Sequence, residues 1–141
     1  MAEKKDIKKK KGEKVSREKK SKPPKAKREF YQLDAAGQVL GRLASQIAIL
    51  LQGKNKPSFR PYLDAGGVVS VKNASKIKIT GRKLEQEKYY HYSGYPGGLK
   101  EKKISILFKN NPGEVLKRTV WNMLPKNKLR GKMIKRLRII N

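Results

Sequence analysis

The chain has no cysteine in its 141 residues, and only one histidine and one tryptophan. A disulfide scaffold, thiolate metal sites and cysteine nucleophiles are therefore excluded. The absence fits a reducing compartment. One imidazole and few carboxylates do not assemble a transition-metal site of ordinary composition. Long apolar runs are missing too. The longest, Ile47 to Leu51, falls far short of a bilayer span. No apolar stretch follows the charged N-terminus, so no secretory signal is expected. Glu3, Asp6, Glu13 and Glu18 argue against an acid-poor organelle transit peptide. Acidic residues are the scarcest charged class. Eleven Asp and Glu stand against 37 Lys and Arg, a formal net charge of +26. A short chain so charged repels itself unless a polyanion lies beside it. Nucleic acid is the densest such partner, because each neutralised phosphate releases condensed counterions. An anionic membrane is the other, but it calls for an amphipathic basic helix with an apolar face or a lipid anchor.

The length fits one small domain, and composition breaks near Glu29. Residues 1–29 hold fourteen Lys/Arg and five Asp/Glu, a net of +9, and Met1, Ile7 and Val15 are their only sizeable apolar side chains. Such a stretch cannot bury enough surface to offset its ordering entropy. It is expected to be a disordered basic arm ending in the stiff Pro23-Pro24 pair. Residues 30–141 hold twenty-three basic and six acidic residues, a net of +17, so the globular part is basic as well.

Phe30, Tyr31 and Leu33 predict a short strand ending at Asp34, with Gly37 as a turn. Leu40, Leu43, Ala44, Ile47 and Leu51 recur at helical spacing, and Gly53 stands where that helix should stop. After the basic turn Lys54-Asn55-Lys56-Pro57, Val68, Val69 and Val71 predict a buried strand. Ile77 and Ile79 predict another, closed by Gly81. Strand, helix, strand, strand suggests an α/β sheet opening with a βαβ unit. Tyr89 to Gly98 reads as an extended loop rich in aromatics and glycine. Ile104, Leu107 and Phe108 predict a short helix broken at Asn110, Asn111 and Pro112. Val115, Leu116, Thr119, Val120 and Met123 predict the next, stopped by Pro125. Lys126 to Asn141 carries seven basic residues and no acid, with Leu129, Met133, Ile134 and Leu137 as a helical apolar stripe.

Each motif has a bland reading beside the functional one. The arm can be a solubilising tail, and Lys8–Lys11 or Lys25–Arg28 can be a nuclear address. The basic globular part favours an arm that follows phosphates instead. Some of Tyr89, Tyr90, Tyr92 and Tyr95 pack inward in any fold, yet aromatic faces among glycines and lysines also suit unpaired bases. Gly94, Gly97 and Gly98 let backbone N–H groups approach phosphate. His91 invites a catalytic reading, but Asp34 and Asp64 are isolated, Ser45 and Ser93 have no nucleophile-elbow context, and no phosphate-binding P-loop is present. No enzyme activity is expected. The C-terminal segment can be a peripheral amphipath, or a helix packed by its stripe with its cations turned to phosphate, which the continuous charge favours.

Five ordered blocks then carry a resemblance. Gln38-Val39-Leu40-Gly41-Arg42-Leu43-Ala44-Ser45 leads to Gly53-Lys54-Asn55-Lys56-Pro57, then Asn73-Ala74 with Thr80-Gly81. Tyr89 through Gly98 and Met123-Leu124-Pro125-Lys126 complete the series. From about Phe30 to Ile140 the chain resembles the bacterial form of the large-subunit ribosomal protein thirteen family. Trp121-Asn122 stands where that family more often has a basic residue and glycine, and the arm lies outside the resemblance. The resemblance implies a three-layer α/β/α sandwich around a mostly parallel four-stranded sheet. It also implies a structural, non-catalytic protein that binds large-subunit ribosomal RNA and acts early in assembly.

The expected division is a basic extension over 1–29 and an RNA-binding α/β domain over 30–141. Expected partners are large-subunit ribosomal RNA and neighbouring large-subunit proteins, with no membrane, small-molecule substrate or cofactor. The expected location is the ribosome of the cytoplasm or of an organelle with a bacterial-type ribosome. RNA contact is expected at Arg42, Lys54, Lys56 and Arg60 around the first helix and its exit. It is further expected at Arg82, Lys83, His91, Tyr92 and Tyr95 near the aromatic segment, and at Lys126, Lys128, Arg130, Lys132, Lys135 and Arg136 in the C-terminal helix. Phosphate contacts would set position and the folded shape of the RNA would set specificity. A free-standing nucleic-acid-binding regulator is the alternative, but no helix-turn-helix supports it.

Overall fold

A computed structural model describes residues 28–140; the arm expected over 1–29 lies outside the described residues except at its last two positions. Strand β1 (Phe30–Asp34) leads into helix α1 (Leu40–Gln52) and strand β2 (Val68–Lys72). A 3-10 turn over Ala74–Lys76 and a short helix α2 (Lys83–Gln86) follow. Strands β3 (Lys88–Tyr92) and β4 (Leu99–Lys103) form an antiparallel hairpin. Helices α3 (Ile104–Asn110), α4 (Pro112–Met123) and α5 (Arg130–Ile134) lead to strand β5 (Leu137–Ile139).

Helix α1 forms where the apolar spacing requires it. Leu40, Leu43, Ala44, Ile47, Ala48 and Leu51 are buried along one face. Gly53 ends the helix at φ 81°, a left-handed conformation that glycine adopts without strain, and its N–H bonds the Ile49 carbonyl. Helix α4 begins with Pro112 in the first turn, where a missing N–H costs nothing. Asn111 caps it by accepting from the Glu114 N–H at 3.2 Å. The break expected at Asn110, Asn111 and Pro112 thus ends α3 at Asn110 and lets Pro112 start α4.

The sheet corrects two expectations. It has three strands in the order β1-β2-β5, all parallel, and the antiparallel β3–β4 pair stands apart from it. A four-stranded sheet is not observed among the described residues. The Ile77–Ile79 segment makes a single bridge, Val39 with Lys78, in place of a strand. Asn73 at φ 59° and the 3-10 turn divert the chain, and Gly81 at φ 70° turns it away again. Paired residues in parallel strands share a face. Tyr31, Leu33, Val69, Val71, Leu137 and Ile139 therefore point one way, and all six belong to the core. The other face carries exposed Phe30, Gln32, Asp34, Lys72 and Arg138 around a buried Ser70. Both crossovers progress in one direction across the sheet. When right-handed, as such connections almost always are, they place their helices on the same side. Helices α1 and α4 pack on each other accordingly. The described residues thus give a mixed α/β fold with three parallel strands and a separate antiparallel pair.

The C-terminal stripe is split as well. Met133 and Ile134 are buried on α5, but the helix is only Arg130–Ile134. Leu137 and Ile139 then alternate with exposed Arg138 and pair with Val69 and Val71. A period of two competes there with the helical period, and parallel pairing to β2 wins. The tyrosine segment differs likewise, because Lys88–Tyr92 is a strand that suits aromatic side chains.

Candidate nucleic-acid interface

The expected cations lie in four places. Arg42, in the first turn of α1, and Lys83, in α2, line one small cleft with Thr80, and both are exposed, as is Arg82. Lys54 and Arg60 are exposed in the loop after α1. Twelve residues separate Arg42 from Lys54, so they sit about 18 Å apart at opposite ends of one helix. His91 and Tyr92 lie on β3, and Tyr95 at the hairpin turn is 76% exposed. Lys126, Lys128, Lys132 and Lys135 are exposed before and along α5.

Three residues expected to contact RNA have partners within the protein. Lys56 is paired with Glu29 at 3.1 Å, its side chain mostly covered. Arg130 stacks over the Trp121 ring at 4.3 Å and donates to the Trp121 carbonyl, through Nε at 2.8 Å and through Nη2. It closes the end of α4, using the tryptophan that departs from the family pattern. Arg136 corrects its expectation fully. It is buried and donates from Nε to the Gly67 carbonyl at 3.1 Å, from Nη2 to the Leu51 carbonyl at 2.9 Å and from Nη1 to Asp64 Oδ2 at 2.7 Å. The expected helical face for Arg136 does not exist, because α5 ends before it.

The loop from Gly53 to Gly67 has its ends pressed together. The Gly67 N–H bonds the Leu50 carbonyl at 3.2 Å. A Cβ on Gly66 would lie 1.8 Å from the Leu51 oxygen, a separation only glycine permits. Asp64 also receives Arg28 at 3.3 Å. The Tyr31 hydroxyl accepts from Asn55 at 2.7 Å and donates to Glu29. That hydroxyl, followed by Lys56, holds the Glu29 carboxyl below its ordinary range. Between these ties the loop presents Lys54, Arg60 and Tyr62, with Arg60 donating to the Tyr62 hydroxyl at 2.9 Å. Tyr62 is 68% exposed and was missed in the sequence reading. Arg60-Pro61-Tyr62, a cation and an aromatic around a rigid proline, was the available signal.

The hairpin register sets Tyr89 opposite Lys102 and His91 opposite Lys100. These four, with Tyr90 and Arg118, line a cleft of about 230 Å³. Arg118 lies 5.1 Å from the Tyr89 ring centre and bonds Glu114. Burial raises the Tyr89 hydroxyl above its usual range, helped by the Glu87 charge. Beside α3, Lys88 is paired with Glu101 at 2.8 Å, and that hydrogen bond raises the lysine pKa. Lys100 and Lys102 were not singled out in the sequence, because strand alternation inside an apparent loop could not be seen. Among the described residues, no cluster of three or more His, Asp or Glu could hold a metal, and no helix is long and apolar enough to cross a membrane.

Exposed cations grouped on loops, a hairpin and helix ends mark this as a small basic α/β domain. The family profile described as ribosomal protein L13 matches residues 28–141. The "Large ribosomal subunit protein uL13" of Aquifex aeolicus (strain VF5) is 50% identical over 118 residues, covering 84% of this chain and 82% of that one. The protein of the same name from Thermoanaerobacter sp. (strain X514) is 51% identical over 119 residues, covering 84% and 83%. That from Pelobacter propionicus is 54% identical over 113 residues, covering 80% of each. The chain belongs to the ribosomal protein L13 family.

Proposed function

We propose that the chain is a structural constituent of the large ribosomal subunit that binds ribosomal RNA and supports early subunit assembly and translation. Family membership carries this reading. The role is structural and not enzymatic. Lysines and arginines at separate loops and helix ends can bridge RNA segments that would otherwise repel each other. The contact set is Arg42, Lys54, Arg60, Arg82, Lys83, His91, Tyr92, Tyr95, Lys126, Lys128, Lys132 and Lys135. Lys56 and Arg130 contribute through the shape of their surroundings, and Arg136 from inside the fold. Residues 1–29 serve as a basic extension along phosphates, and 30–141 as the RNA-binding domain. Neighbouring large-subunit proteins are further partners, in the ribosome of the cytoplasm or of an organelle with a bacterial-type ribosome.

Sucrose-gradient fractionation of lysate tests this reading. Stable migration with large subunits and their precursors is expected. A predominantly free or nucleoid-bound pool would favour a regulator and contradict it.

A further inference from the structure

Arg136 occupies a place that neither packing nor RNA contact explains. It follows the last helix, yet it joins three distant points of the chain. Its acceptors are the carbonyl near the end of α1 (Leu51), the carbonyl just before β2 (Gly67) and the Asp64 carboxylate inside the loop that links them. Leu51 and Gly67 flank the Gly53–Gly67 loop, so one buried guanidinium clamps both of its ends and its returning limb. A planar fork with five donors suits three acceptors in fixed directions, and an ammonium does not. Compact surface loops with adjoining ends commonly carry function, and this one presents Lys54, Arg60 and Tyr62 outward.

We propose that Arg136, through Asp64, is the positioning residue for the RNA-facing loop 54–63. It presets the loop's shape so that little ordering is left for the moment of binding. The inference rests on the reading that this loop meets ribosomal RNA. It predicts that the C-terminal segment controls an RNA contact it does not itself make.

The test is hydroxyl-radical footprinting of large-subunit ribosomal RNA by the full chain. The double variant Asp64→Leu/Arg136→Met removes both charges together. Replacing a buried ion pair by apolar side chains often leaves stability nearly unchanged, whereas either single removal strands a charge. The expected result is a folded protein whose melting falls less than that of Arg136→Ala, since the Leu51 and Gly67 carbonyls lose a donor but no charge is stranded in the core, with roughly tenfold weaker binding, and protection lost only where Lys54→Ala/Arg60→Ala also removes it. Protection dependent on Tyr95 and Lys126 stays. Arg136→Lys, which keeps the charge but not the fork, serves if the double variant does not fold. It should weaken the same protections selectively. A full parental footprint from a folded variant would overturn the proposal. If Lys54→Ala/Arg60→Ala removes no protection, the loop does not meet RNA, and the interface reading fails at that point together with the proposal.

Discussion

The Gly53–Gly67 loop and the β3–β4 hairpin are both basic and aromatic, but they are supported in opposite ways. The loop is tied by Arg136, Asp64, Arg28, Glu29 and Tyr31, and by a glycine pressed on a backbone carbonyl. The hairpin rests on α4 through Tyr89. Tyr90 and Tyr92 are 61% exposed and Tyr95 is 76% exposed. Two strands alone are marginal in water. Under the proposed function, the loop would offer RNA a shape fixed by the domain, while the hairpin would offer side chains whose arrangement the RNA completes. Mutations should separate the two by moving stability in one and affinity in the other.

The largest stability effect should come from Arg136→Ala. It leaves the Asp64 carboxylate, already with one oxygen unpartnered, without its main counter-charge, and breaking a buried pair this way costs about 3–5 kcal/mol. Denaturant unfolding measures it, and a loss below about 1 kcal/mol would mean the clamp does not hold the loop. Gly66→Ala follows. The methyl group meets the Leu51 carbonyl, and overpacking of that kind costs about 1–3 kcal/mol. An unchanged melting temperature would show that the loop ends are free to part.

Tyr95→Ala should behave in the opposite way. Surface changes of this type stay within about 0.5 kcal/mol, whereas loss of one base stack costs about 1–3 kcal/mol of RNA affinity. Thermal melting and RNA titration on one preparation decide it, and a large melting loss with intact affinity would make the hairpin a folding element. The smallest effect concerns pH. The Asn73 side chain and then the Ala36 N–H hold the Asp34 carboxyl below its ordinary pKa. A lowered folded-state value means this contribution is present above the unfolded pKa. It is lost as pH falls through the folded value, below about pH 4. Asp34→Asn should flatten the acid limb of the stability curve, and an unaltered limb would exclude Asp34 as its source.

Much of the scaffold was legible because single residues carry sharp signals. Leu40 to Leu51 at helical spacing and Gly53 at its end define α1, and Val68 to Val71 define β2. The failures share one cause. Arg136 and Lys132 look alike in sequence, and only pairing of Leu137 and Ile139 with β2 decides that one is enclosed and the other exposed. Tertiary pairing likewise turned the tyrosine segment into a strand and left Ile77–Ile79 with one bridge. Charge told that the surface is basic, but not which cations are already partnered. Lys56 needed Glu29 and Arg130 needed Trp121 to be seen, whereas the Arg118–Glu114 pair is local to one helix.

The central claim is that exposed cations of the folded domain bind RNA while its buried ones hold the fold. Neutralising Lys126, Lys128 and Lys132 together tests it most directly, with RNA affinity measured across salt concentrations and melting followed in parallel. Each lost phosphate contact should flatten the log–log salt slope by about 0.7–0.9, so the triple variant should lose about 2–3 in slope and melt like the parent. An unchanged slope with a large loss of melting temperature would contradict the account.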